Sequence, residues 1–501
     1  MSTENLSEQE LQRRKNLDLL RKAGIDPYPA PLFPVNASSA GIKETFEEGK
    51  QVVLAGRLMS YRDKGKASFC ELQDASGRIQ LYVNQDEICP GEDKTFYTEV
   101  FKKLLDLGDF IGVRGEVFRT RVGEISVKAK EITLLAKSLK PLPVVKVDAE
   151  GTAHDVVSDP EFRYRQRYAD LVVNPQVRQT FEKRTRMINS LRNFLNGRGA
   201  LEVDTPVLQP IPGGAAARPF MTHHNALDTE LYLRIANELY LKRLIVGGFD
   251  WVYEFSRNFR NEGMDRTHNP EFTILEFYVA YKDYFWMMDT TEQMLEKMAI
   301  DSTGGTDLIV GDKVISMKAP FARISIFEAI KKHTGIDVDG MNESQLRDVC
   351  KQLKIHADPS VGAGKLIDEI FSETCEKHFI QPTFIMDYPV EMSPLTKKHR
   401  SKPGLVERFE LLINGKELAN AYTELNDPID QRERFEEQAR LMERGDDEAM
   451  FIDQDFLRAL EYGMPPTSGI GFGIDRLCML ITNQPSIQDV LLCPQMRPEK
   501  F

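Results

Sequence analysis

Charged side chains interrupt two apolar, strand-like segments between positions 251 and 281, where they could bind a small charged ligand. In the first segment Arg260 and Glu262 are two residues apart, so an extended chain would point both to one face. The second segment places an aromatic ring, a carboxylate and a phenol on one face: Phe272, Glu276 and Tyr278. Two interpretations stay open, a hairpin with a solvated polar face or a hairpin that binds a doubly charged ligand, because buried charge needs a partner.

A second predicted hairpin brings two carboxylates together. Asn414-Gly415 is typical of a two-residue type I′ turn, which pairs Leu412 with Glu417. Glu410 then lies diagonal to Glu417 on the same face, roughly 7–8 Å away between Cα atoms. Two carboxylates at that distance could share a divalent cation. The alternative is a pair of surface glutamates.

Three further polar residues follow on the same strand, Asn420, Tyr422 and Glu424. They share a face with one another but have the opposite parity to Glu417. A β-bulge near 418–419 is therefore required if all of them are to serve one site.

Alternating glycines near the end of the chain predict a site for a flat ligand. Gly469, Gly471 and Gly473 remove the side chains from one face of a strand, and Arg476 follows at the start of an apolar helix. The spacing GxGxGxDR is neither the dinucleotide-binding GxGxxG nor the phosphate-binding GxxxxGK[ST]. The pattern indicates a nucleotide site of a different design.

The composition indicates a folded protein of several domains. With 501 residues and 41% hydrophobic residues, two or three compact units are expected. A net charge of −12 argues against a basic surface over the whole protein, although it allows a local basic patch. The start MSTENLSEQE is polar, no long apolar run occurs, and the six cysteines form no CxxC pair. We expect a soluble, cytoplasmic protein with neither a zinc knuckle nor a disulfide framework.

The first part of the chain predicts a helix and then a small β-barrel. Residues 5–24 have helical spacing with basic residues on the remaining face, which indicates either a solvated face or a nucleic-acid contact. Five short strand-like runs between 51 and 147 fit an OB-type barrel, while another small barrel or sandwich stays open. Barrels of this type stack unpaired bases on aromatic side chains that lie among basic and polar ones, here Arg62, Phe69 and Gln80.

The remaining chain reads as a linker and one large domain. A linker at 148–165, in a stretch punctuated by Pro141, Pro143 and Pro160, precedes a long amphipathic helix and a strand that ends at Pro206. This helix–strand unit suits either a subunit contact or core packing. We expect a helical extension at 1–48, a barrel at 49–147 and a large domain at 166–501 with a helical insert around 301–400.

Several motifs together resemble one enzyme family. The FRNE and HNPEF segments, the helix–strand unit with Pro206, and GIGFGIDR are similar to motifs 2, 1 and 3 of the class II aminoacyl-tRNA synthetases. The barrel ahead of them resembles the anticodon-binding domain of the subgroup that charges lysine, aspartate and asparagine. The segments IPGGAAARPF, RIANELYLKRL and RNFRNEG are similar to the bacterial lysyl-tRNA synthetases. The resemblance extends from about residue 10 to the end of the chain.

This resemblance implies an α+β protein, with a five-stranded OB-fold barrel and an antiparallel sheet flanked by helices. It implies a homodimer through the Pro206 motif. The implied activity is the ATP-dependent conversion of L-lysine to lysyl-adenylate, with release of pyrophosphate, and transfer of lysine to the 3′ end of tRNA-Lys. ATP would be the co-substrate and Mg²⁺ the cofactor, with more than one ion per subunit.

The resemblance also assigns roles to individual residues. The catalytic arginines would be Arg260 and Arg476. The lysine-binding residues would be Gly214, Glu238, Arg260, Glu276, Tyr278, Asn420, Tyr422 and Glu424. The ATP-binding residues would be Arg260, Glu262, His268, Asn269, Phe272, Glu410, Gly471, Gly473 and Arg476. The Mg²⁺ ligands would be Glu410 and Glu417, and the anticodon would be read by Arg62, Phe69 and Gln80.

The residue types also indicate which amino acid is bound. A pocket for aspartate or asparagine would need a cation or amide donors, whereas the candidate lining here is Glu276, Tyr278 and Glu424. Buried acceptors discriminate strongly against a ligand without a cation, so we predict lysine. The alternatives are an aspartyl- or asparaginyl-tRNA synthetase and a catalytically silent tRNA-binding relative. No expected catalytic position is replaced, which argues against the silent relative.

Overall fold

The protein divides into two compact units, Met1–Ser158 and Asp159–Phe501. The computed structural model describes residues 6–143, 146–147, 153–154, 159–358, 361–443 and 450–498. Much of the predicted linker at 148–165 lies outside the described residues.

The first unit contains a closed barrel of five strands in the order β1-β2-β3-β5-β4. Strands β2 and β3 alternate strictly between buried and half-buried residues, so one face of each fills the barrel with apolar side chains. This architecture confirms the predicted OB-type barrel. The elements of the unit are α1 (Glu8–Lys22), α2 (Ser39–Glu44), β1 (Gln51–Asp63), β2 (Ala67–Gln73), β3 (Arg78–Asn84), α3 (Gln85–Ile88), a π-helical segment (Phe96–Leu104), β4 (Phe110–Arg119), β5 (Ile125–Ala136), β6 (Lys146–Val147) and β7 (Ala153–His154).

The second unit is built on an eight-stranded sheet in the order β16-β17-β18-β19-β20-β13-β12-β8. Its strands pair antiparallel except for β8 with β12 and β16 with β17. The strands are β8 (Leu201–Glu202), β9 (Leu208–Gln209), β10 (Met221–His224), β11 (Thr229–Leu233), β12 (Trp251–Phe259), β13 (Glu271–Ala280), β14 (Asp307–Val310), β15 (Lys313–Ser316), β16 (Ala322–Ser325), β17 (Thr383–Met386), β18 (Arg408–Ile413), β19 (Lys416–Thr423) and β20 (Thr467–Gly473).

Helices cover this sheet. They are α4 (Pro160–Arg165), α5 (Arg167–Val173), α6 (Pro175–Asn196), α7 (Glu238–Val246), α8 (Tyr284–Thr303), α9 (Ile326–Thr334), α10 (Glu343–Leu353), α11 (Ala363–Thr374), α12 (Pro428–Glu443), α13 (Gln454–Glu461), α14 (Ile474–Thr482) and α15 (Ile487–Val490), with 3₁₀ turns at Glu376–His378 and Val390–Met392. Helices α6, α8 and α14 form one core with Phe277 of β13 and Phe472 of β20. Because side chains alternate along a strand, Glu276 and Tyr278 face the opposite side of the sheet.

The first predicted hairpin forms, but it ends earlier than expected. Strands β12 and β13 pair from Trp251 opposite Val279 to Phe259 opposite Glu271. Arg260 and Glu262 lie beyond the end of β12, so the prediction that one strand face carries both side chains was wrong. The chain leaves the sheet here because the N–H of Asn261 donates to the backbone oxygen of Arg218 and not to the neighbouring strand.

The second predicted hairpin forms with the expected turn and bulge. Asn414 and Gly415 both have positive φ, 55° and 67°, as a type I′ turn requires. The register shifts beyond the turn, so that Leu411 lies opposite Ala419 while Leu412 lies opposite Glu417. The extra residue is Leu418, at the predicted bulge, and it places Asn420 opposite Glu410.

The region 301–400 combines helices with strands. Helices α9, α10 and α11 pack around an apolar cluster that includes Ile330 and Phe371. Strands β14 and β15 pair with each other, whereas β16 and β17 lengthen the main sheet. No helix within the described residues is long and apolar enough to cross a membrane.

Candidate active site

Two central strands carry the open face of the sheet. Glu276 lies opposite Gly471, and Tyr278 lies opposite Gly469. A Cβ atom on Gly469 would collide with the Tyr278 ring and the Glu424 carboxylate, so these side chains fill the space beside this glycine. Its predicted role as a surface for a flat ligand was therefore wrong. A Cβ atom on Gly471 would meet its nearest neighbour at 3.4 Å, an ordinary contact distance, so no side chain fills that position.

Three buried carboxylates converge on this face. Glu238 begins α7, Glu276 is in the middle of β13, and Glu424 follows β19. Burial raises the pKa of Glu276 to about 8, and the charge of Glu238 adds to the increase. Burial also raises the pKa of Glu424 to about 8, against the opposing effect of Lys242. Tyr278 donates a hydrogen bond from its hydroxyl to Glu276 Oε2 at 3.2 Å. The cluster favours a ligand that supplies positive charge.

Lys242 of α7 lies among these carboxylates, and the sequence did not suggest a role for it. Its ammonium nitrogen is 2.5 Å from Glu238 Oε1 and 2.5 Å from Glu424 Oε2. The whole side chain is buried, with 0% exposed. The only signal in the sequence was a Glu–Lys pair four residues apart within an otherwise apolar helix.

Gly214 lies directly behind Glu238. Its φ is +86°, a conformation that favours glycine, and a Cβ atom there would be 3.1 Å from the Glu238 Cβ. The loop backbone therefore approaches the start of α7 closely. This position brings Gly214 together with the predicted lysine-binding residues.

Arg260 is placed to receive an anion. Its guanidinium carbon is 5.1 Å from the centroid of the Phe272 ring. Its Nε is buried and has no hydrogen-bond partner among the described residues. A buried N–H group without a partner is costly, and a carboxylate or phosphate oxygen would satisfy it.

Arg476 connects the two hairpins. One terminal nitrogen donates to the backbone oxygen of Glu417 at 2.9 Å, and the other is 2.9 Å from Nε2 of His268. The opposite ring nitrogen of His268 lies 2.8 Å from Asp265 Oδ2. Arg476 and His268, which were both predicted to bind ATP, are thus in contact.

The other predicted ATP residues lie on the same loop and strand. The exposed Glu262 accepts a hydrogen bond from the backbone N–H of Arg218 at 3.4 Å. Asn269 donates to the backbone oxygen of Glu271 at 2.6 Å, which fixes the start of β13. Gly473 has only the side chain of Arg476 near its missing Cβ, at 3.7 Å.

Glu410 is held by a buried arginine, Arg408, for which the sequence predicted no role. Arg408 lies 2.5 Å from Glu410 Oε1 and donates to Asn420 Oδ1 at 3.2 Å. The guanidinium is 4.5 Å from the centroid of Tyr388 and 5.8 Å from that of Tyr422. Arg408 thereby orients both Asn420 and Glu410.

The Glu410 and Glu417 pair fits a magnesium ion that is shared with phosphates. Burial and the nearby charge of Glu417 together raise the pKa of Glu410 to about 7, although Arg408 opposes the increase. Glu417 has 41% of its side chain exposed. No group of three or more metal-binding side chains occurs within the described residues. Mg²⁺ is usually bound by one or two carboxylates plus substrate phosphates, so two suffice.

The barrel carries an aromatic row on its outer face. Arg62 lies opposite Phe69, and Ser126 donates a hydrogen bond to Gln80 at 3.0 Å. The Phe69 ring is 5.3 Å from that of Tyr82, which is 6.0 Å from that of Phe118. Register places Gln80 on the same face as Tyr82, so the three predicted residues share this face. Tyr82 and Phe118 were not predicted from the sequence.

Comparison with known families assigns both units. Residues 159–497 match the family model of the class II tRNA synthetases (D, K and N). Residues 52–135 match the family model of the OB-fold nucleic acid binding domain.

The chain is also similar to curated proteins over its full length. It is 66% identical to a lysine–tRNA ligase of Porphyromonas gingivalis over 505 residues, which cover 100% of this chain and 87% of that protein. It is 65% identical to a lysine–tRNA ligase of Christiangramia forsetii, over 99% of this chain and 87% of that protein. It is 62% identical to a lysine–tRNA ligase of Azobacteroides pseudotrichonymphae, over 99% of this chain and 100% of that protein.

Proposed function

This chain belongs to the lysine–tRNA ligases of the class II tRNA synthetases, and we propose that it activates L-lysine with ATP and transfers it to tRNA-Lys. The observation that carries the choice of lysine is the cluster of three buried carboxylates, Glu238, Glu276 and Glu424. An amino acid without a side-chain cation would leave these acceptors unpaired.

We propose that the pocket binds lysine through its two ammonium groups and its carboxylate. Glu238 and the backbone at Gly214 receive the α-ammonium, which their close approach supports. Glu424, Tyr278 and Glu276 receive the ε-ammonium. Arg260 and Asn420 bind the carboxylate, and the ring of Tyr422 completes the wall of the pocket.

ATP binds on the adjacent part of the same face. In this proposal Phe272 stacks under the adenine and Arg476 covers it, beside the open backbone at Gly471 and Gly473. The nucleotide is held further by Glu262, His268, Asn269 and Glu410. Contact between Arg476 and His268 supports one continuous site.

Adenylate formation requires two anions to meet. A lysine carboxylate oxygen attacks the α-phosphorus of ATP, and the bond to pyrophosphate breaks. The carboxylate is already ionised, so no general base is required, and alignment of the reactants supplies much of the rate enhancement. Arg260 and Arg476 offset the repulsion and stabilise the charge of the transition state.

Glu410 and Glu417 would hold Mg²⁺, with more than one ion per subunit in our proposal. When bound, Mg²⁺ neutralises phosphate charge. Arg408 compensates part of the negative charge that these carboxylates would otherwise accumulate.

Transfer to tRNA follows. A ribose hydroxyl at the 3′ end of the tRNA attacks the carbonyl carbon of the lysyl-adenylate, the new ester forms, and AMP leaves. We propose that the barrel, at 49–147, recognises the anticodon with Arg62, Phe69 and Gln80, while the domain at 166–501 performs both chemical steps. The aromatic row on the barrel supports base stacking.

We further propose a cytoplasmic homodimer that forms through the Pro206 motif. Apolar side chains around this motif are exposed in the single chain, including Leu201, Leu208 and Met221. Exposed apolar residues close together mark surfaces that other chains cover.

Amino-acid-dependent exchange of label between pyrophosphate and ATP tests the proposed reaction. We expect exchange with lysine and none with aspartate or asparagine. Exchange with aspartate but not with lysine would overturn the proposal in favour of an aspartyl-tRNA synthetase. No exchange with any amino acid, alongside retained tRNA binding, would favour a silent relative.

A further inference from the structure

Lys242 occupies an unusual place for a lysine residue. Its side chain is fully buried in α7, and its ammonium lies between one carboxylate on the same helix and one at the end of β19. A buried charge requires partners, and Lys242 has two, each at 2.5 Å. Burial lowers the pKa of Lys242, but Glu238 and Glu424 raise it above its ordinary value, so the side chain remains an ammonium at neutral pH.

The partners of Lys242 are the carboxylates that the proposed function assigns to the two ammonium groups of the substrate. The ion pairs use Oε1 of Glu238 and Oε2 of Glu424. The other oxygen of each carboxylate stays out of these ion pairs, and a carboxylate can accept bonds at both oxygens. An internal ammonium and a substrate ammonium can therefore share each carboxylate.

Charge balance leads to the same conclusion. Glu238, Glu276 and Glu424 supply three negative charges when ionised, and Lys242 supplies one positive charge within the cluster. The remaining two negative charges would be balanced by the two positive ammonium groups of the lysine substrate. Without Lys242, one of the three carboxylates would have no cation and would bind a proton.

We propose that Lys242 is a positioning and specificity-determining residue, which bridges Glu238 and Glu424 so that both carboxylates stay in place for the α- and ε-ammonium groups of lysine. This inference rests on the proposed assignment of the pocket to lysine. Lys242 acts through the two carboxylates and does not itself react.

The first test is Lys242→Met, which keeps the length of the side chain and removes its charge. Loss of one partner of a buried ion pair is expected to raise the KM for lysine about 30-fold or more in the exchange assay. The KM for ATP should change less than about twofold, since the nucleotide site does not contact Lys242. The matched control is Lys297→Met, because Lys297 also pairs with a residue four positions away, Asp301 at 2.9 Å, but on an exposed surface.

Charge balance is tested by a second substitution. Glu276→Gln alone should weaken lysine binding, but in the Lys242→Met background it removes the surplus negative charge. We expect the double variant to bind lysine at least about fivefold more tightly than the product of the two single effects predicts. Independent, multiplicative effects would overturn the charge-balance argument.

Lys242→Arg keeps the proposal testable if Lys242→Met does not fold. Arginine retains the charge, but its wider guanidinium would displace both carboxylates, so the KM for lysine should rise about tenfold while the KM for ATP is retained. An unchanged KM for lysine in either folded variant would overturn the inference. The proposed function would stand in that case, because the wild-type enzyme would still show lysine-dependent exchange, whereas absence of that exchange would refute the function itself.

Discussion

Glu424 is the residue whose loss should separate lysine binding from ATP binding. Its side chain is fully buried, and it forms an ion pair with Lys242. For Glu424→Gln we expect the KM for lysine to rise roughly 30- to 1,000-fold, because a buried carboxylate contact to an ammonium is lost. The KM for ATP should change less than about threefold.

The measurement is exchange kinetics with each substrate varied in turn. Glu461→Gln is the control, since Glu461 is an exposed glutamate at the end of α13. Equal losses of affinity for lysine and for ATP would show that Glu424 does not belong to the pocket for the lysine side chain.

The same carboxylates predict how lysine binding depends on pH. Burial, with the charge of Glu238, raises the pKa of Glu276 to about 8, and burial raises that of Glu424 to about 8. In the empty pocket both groups therefore bind protons at pH 6, whereas lysine requires their ionised forms. We expect the Kd for lysine to fall at least about tenfold between pH 6 and pH 8. Isothermal titration in buffers of different ionisation enthalpy should show that protons are released as lysine binds.

A corresponding effect is expected on stability. Because the folded pKa values lie above the ordinary value of 4.5, these groups favour the folded state below about pH 4.5, and that contribution is lost as the pH rises through 8. Lysine should therefore raise Tm more at pH 8 than at pH 6. A Kd that does not change with pH, together with no proton release, would contradict the raised pKa values.

At the scale of elements, β20 depends on a glycine where it passes the lysine pocket. A Cβ atom on Gly469 would collide with the ring of Tyr278 and the carboxylate of Glu424. These two side chains would therefore have to move away from β20. For Gly469→Ala we expect a rise in the KM for lysine of about tenfold or more, since displaced side chains lose the ammonium contacts. The protein should stay folded, because the strand pairing is unchanged.

The neighbouring glycine provides the comparison. A Cβ atom on Gly471 would contact Ile274 at 3.4 Å and Glu276 at 3.5 Å, which are ordinary distances. Gly471→Ala should therefore affect the KM for ATP more than that for lysine. If Gly469→Ala and Gly471→Ala raised the KM for lysine by the same factor, the packing argument for Gly469 would fail.

These strands also show which parts of the fold the sequence predicts. Alternation of apolar residues and the Asn414-Gly415 turn are local signals, and they predicted the barrel, both hairpins and the bulge at Leu418. The end of β12 is set by a distant segment, since Asn261 N–H donates to the backbone oxygen of Arg218 at 2.8 Å. No local pattern contains that information, so the strand was predicted too long.

Within the site, the sequence named the carboxylates but not the cations that hold them. A Glu–Lys pair four residues apart on a helix is normally a surface ion pair. Only the packing of α7 against the sheet, which brings Glu424 to Lys242, shows that this pair is buried. Arg408 was not predicted either: Glu410 lies two residues away on the same strand, but Asn420 meets Arg408 from β19, a contact that no local pattern shows.

At the scale of the whole molecule, the exposed apolar residues near Pro206 predict self-association. Leu208 and Met221 have 48% and 60% of their surface exposed, on the two outer strands of one three-stranded sheet. We expect the wild-type protein to sediment at twice its chain mass of 57.2 kDa. Leu208→Asp should shift it toward the monomer, because a buried carboxylate without a partner is costly in an interface.

The control is Ile309→Asp, which changes an apolar residue that is 69% exposed on β14. It should leave the mass unchanged. A monomeric wild-type protein would contradict the proposed dimer, and an intact Leu208→Asp dimer would place the contact elsewhere.

The division of labour between the two units leads to the last prediction. If the barrel only recognises tRNA, a change on its aromatic face should spare the first chemical step and impair the second. Stacking of one base on an aromatic ring contributes about 1–3 kcal/mol, so Phe69→Ala should raise the KM for tRNA in aminoacylation roughly 5- to 150-fold. Lysine-dependent exchange measured without tRNA should be unchanged, because that step uses only residues of the second unit.

Phe110→Ala is the matched control for this experiment. Phe110 is another aromatic residue on the outside of the barrel, but it lies at the opposite end of β4 from Phe118, and the guanidinium of Arg57 is 4.2 Å from the centroid of its ring. It should leave the KM for tRNA near the wild-type value. An unchanged KM in Phe69→Ala would exclude this face as the anticodon site. If exchange fell together with aminoacylation in Phe69→Ala, the two units would not be functionally separable, because a change confined to the barrel would then have altered the catalytic site.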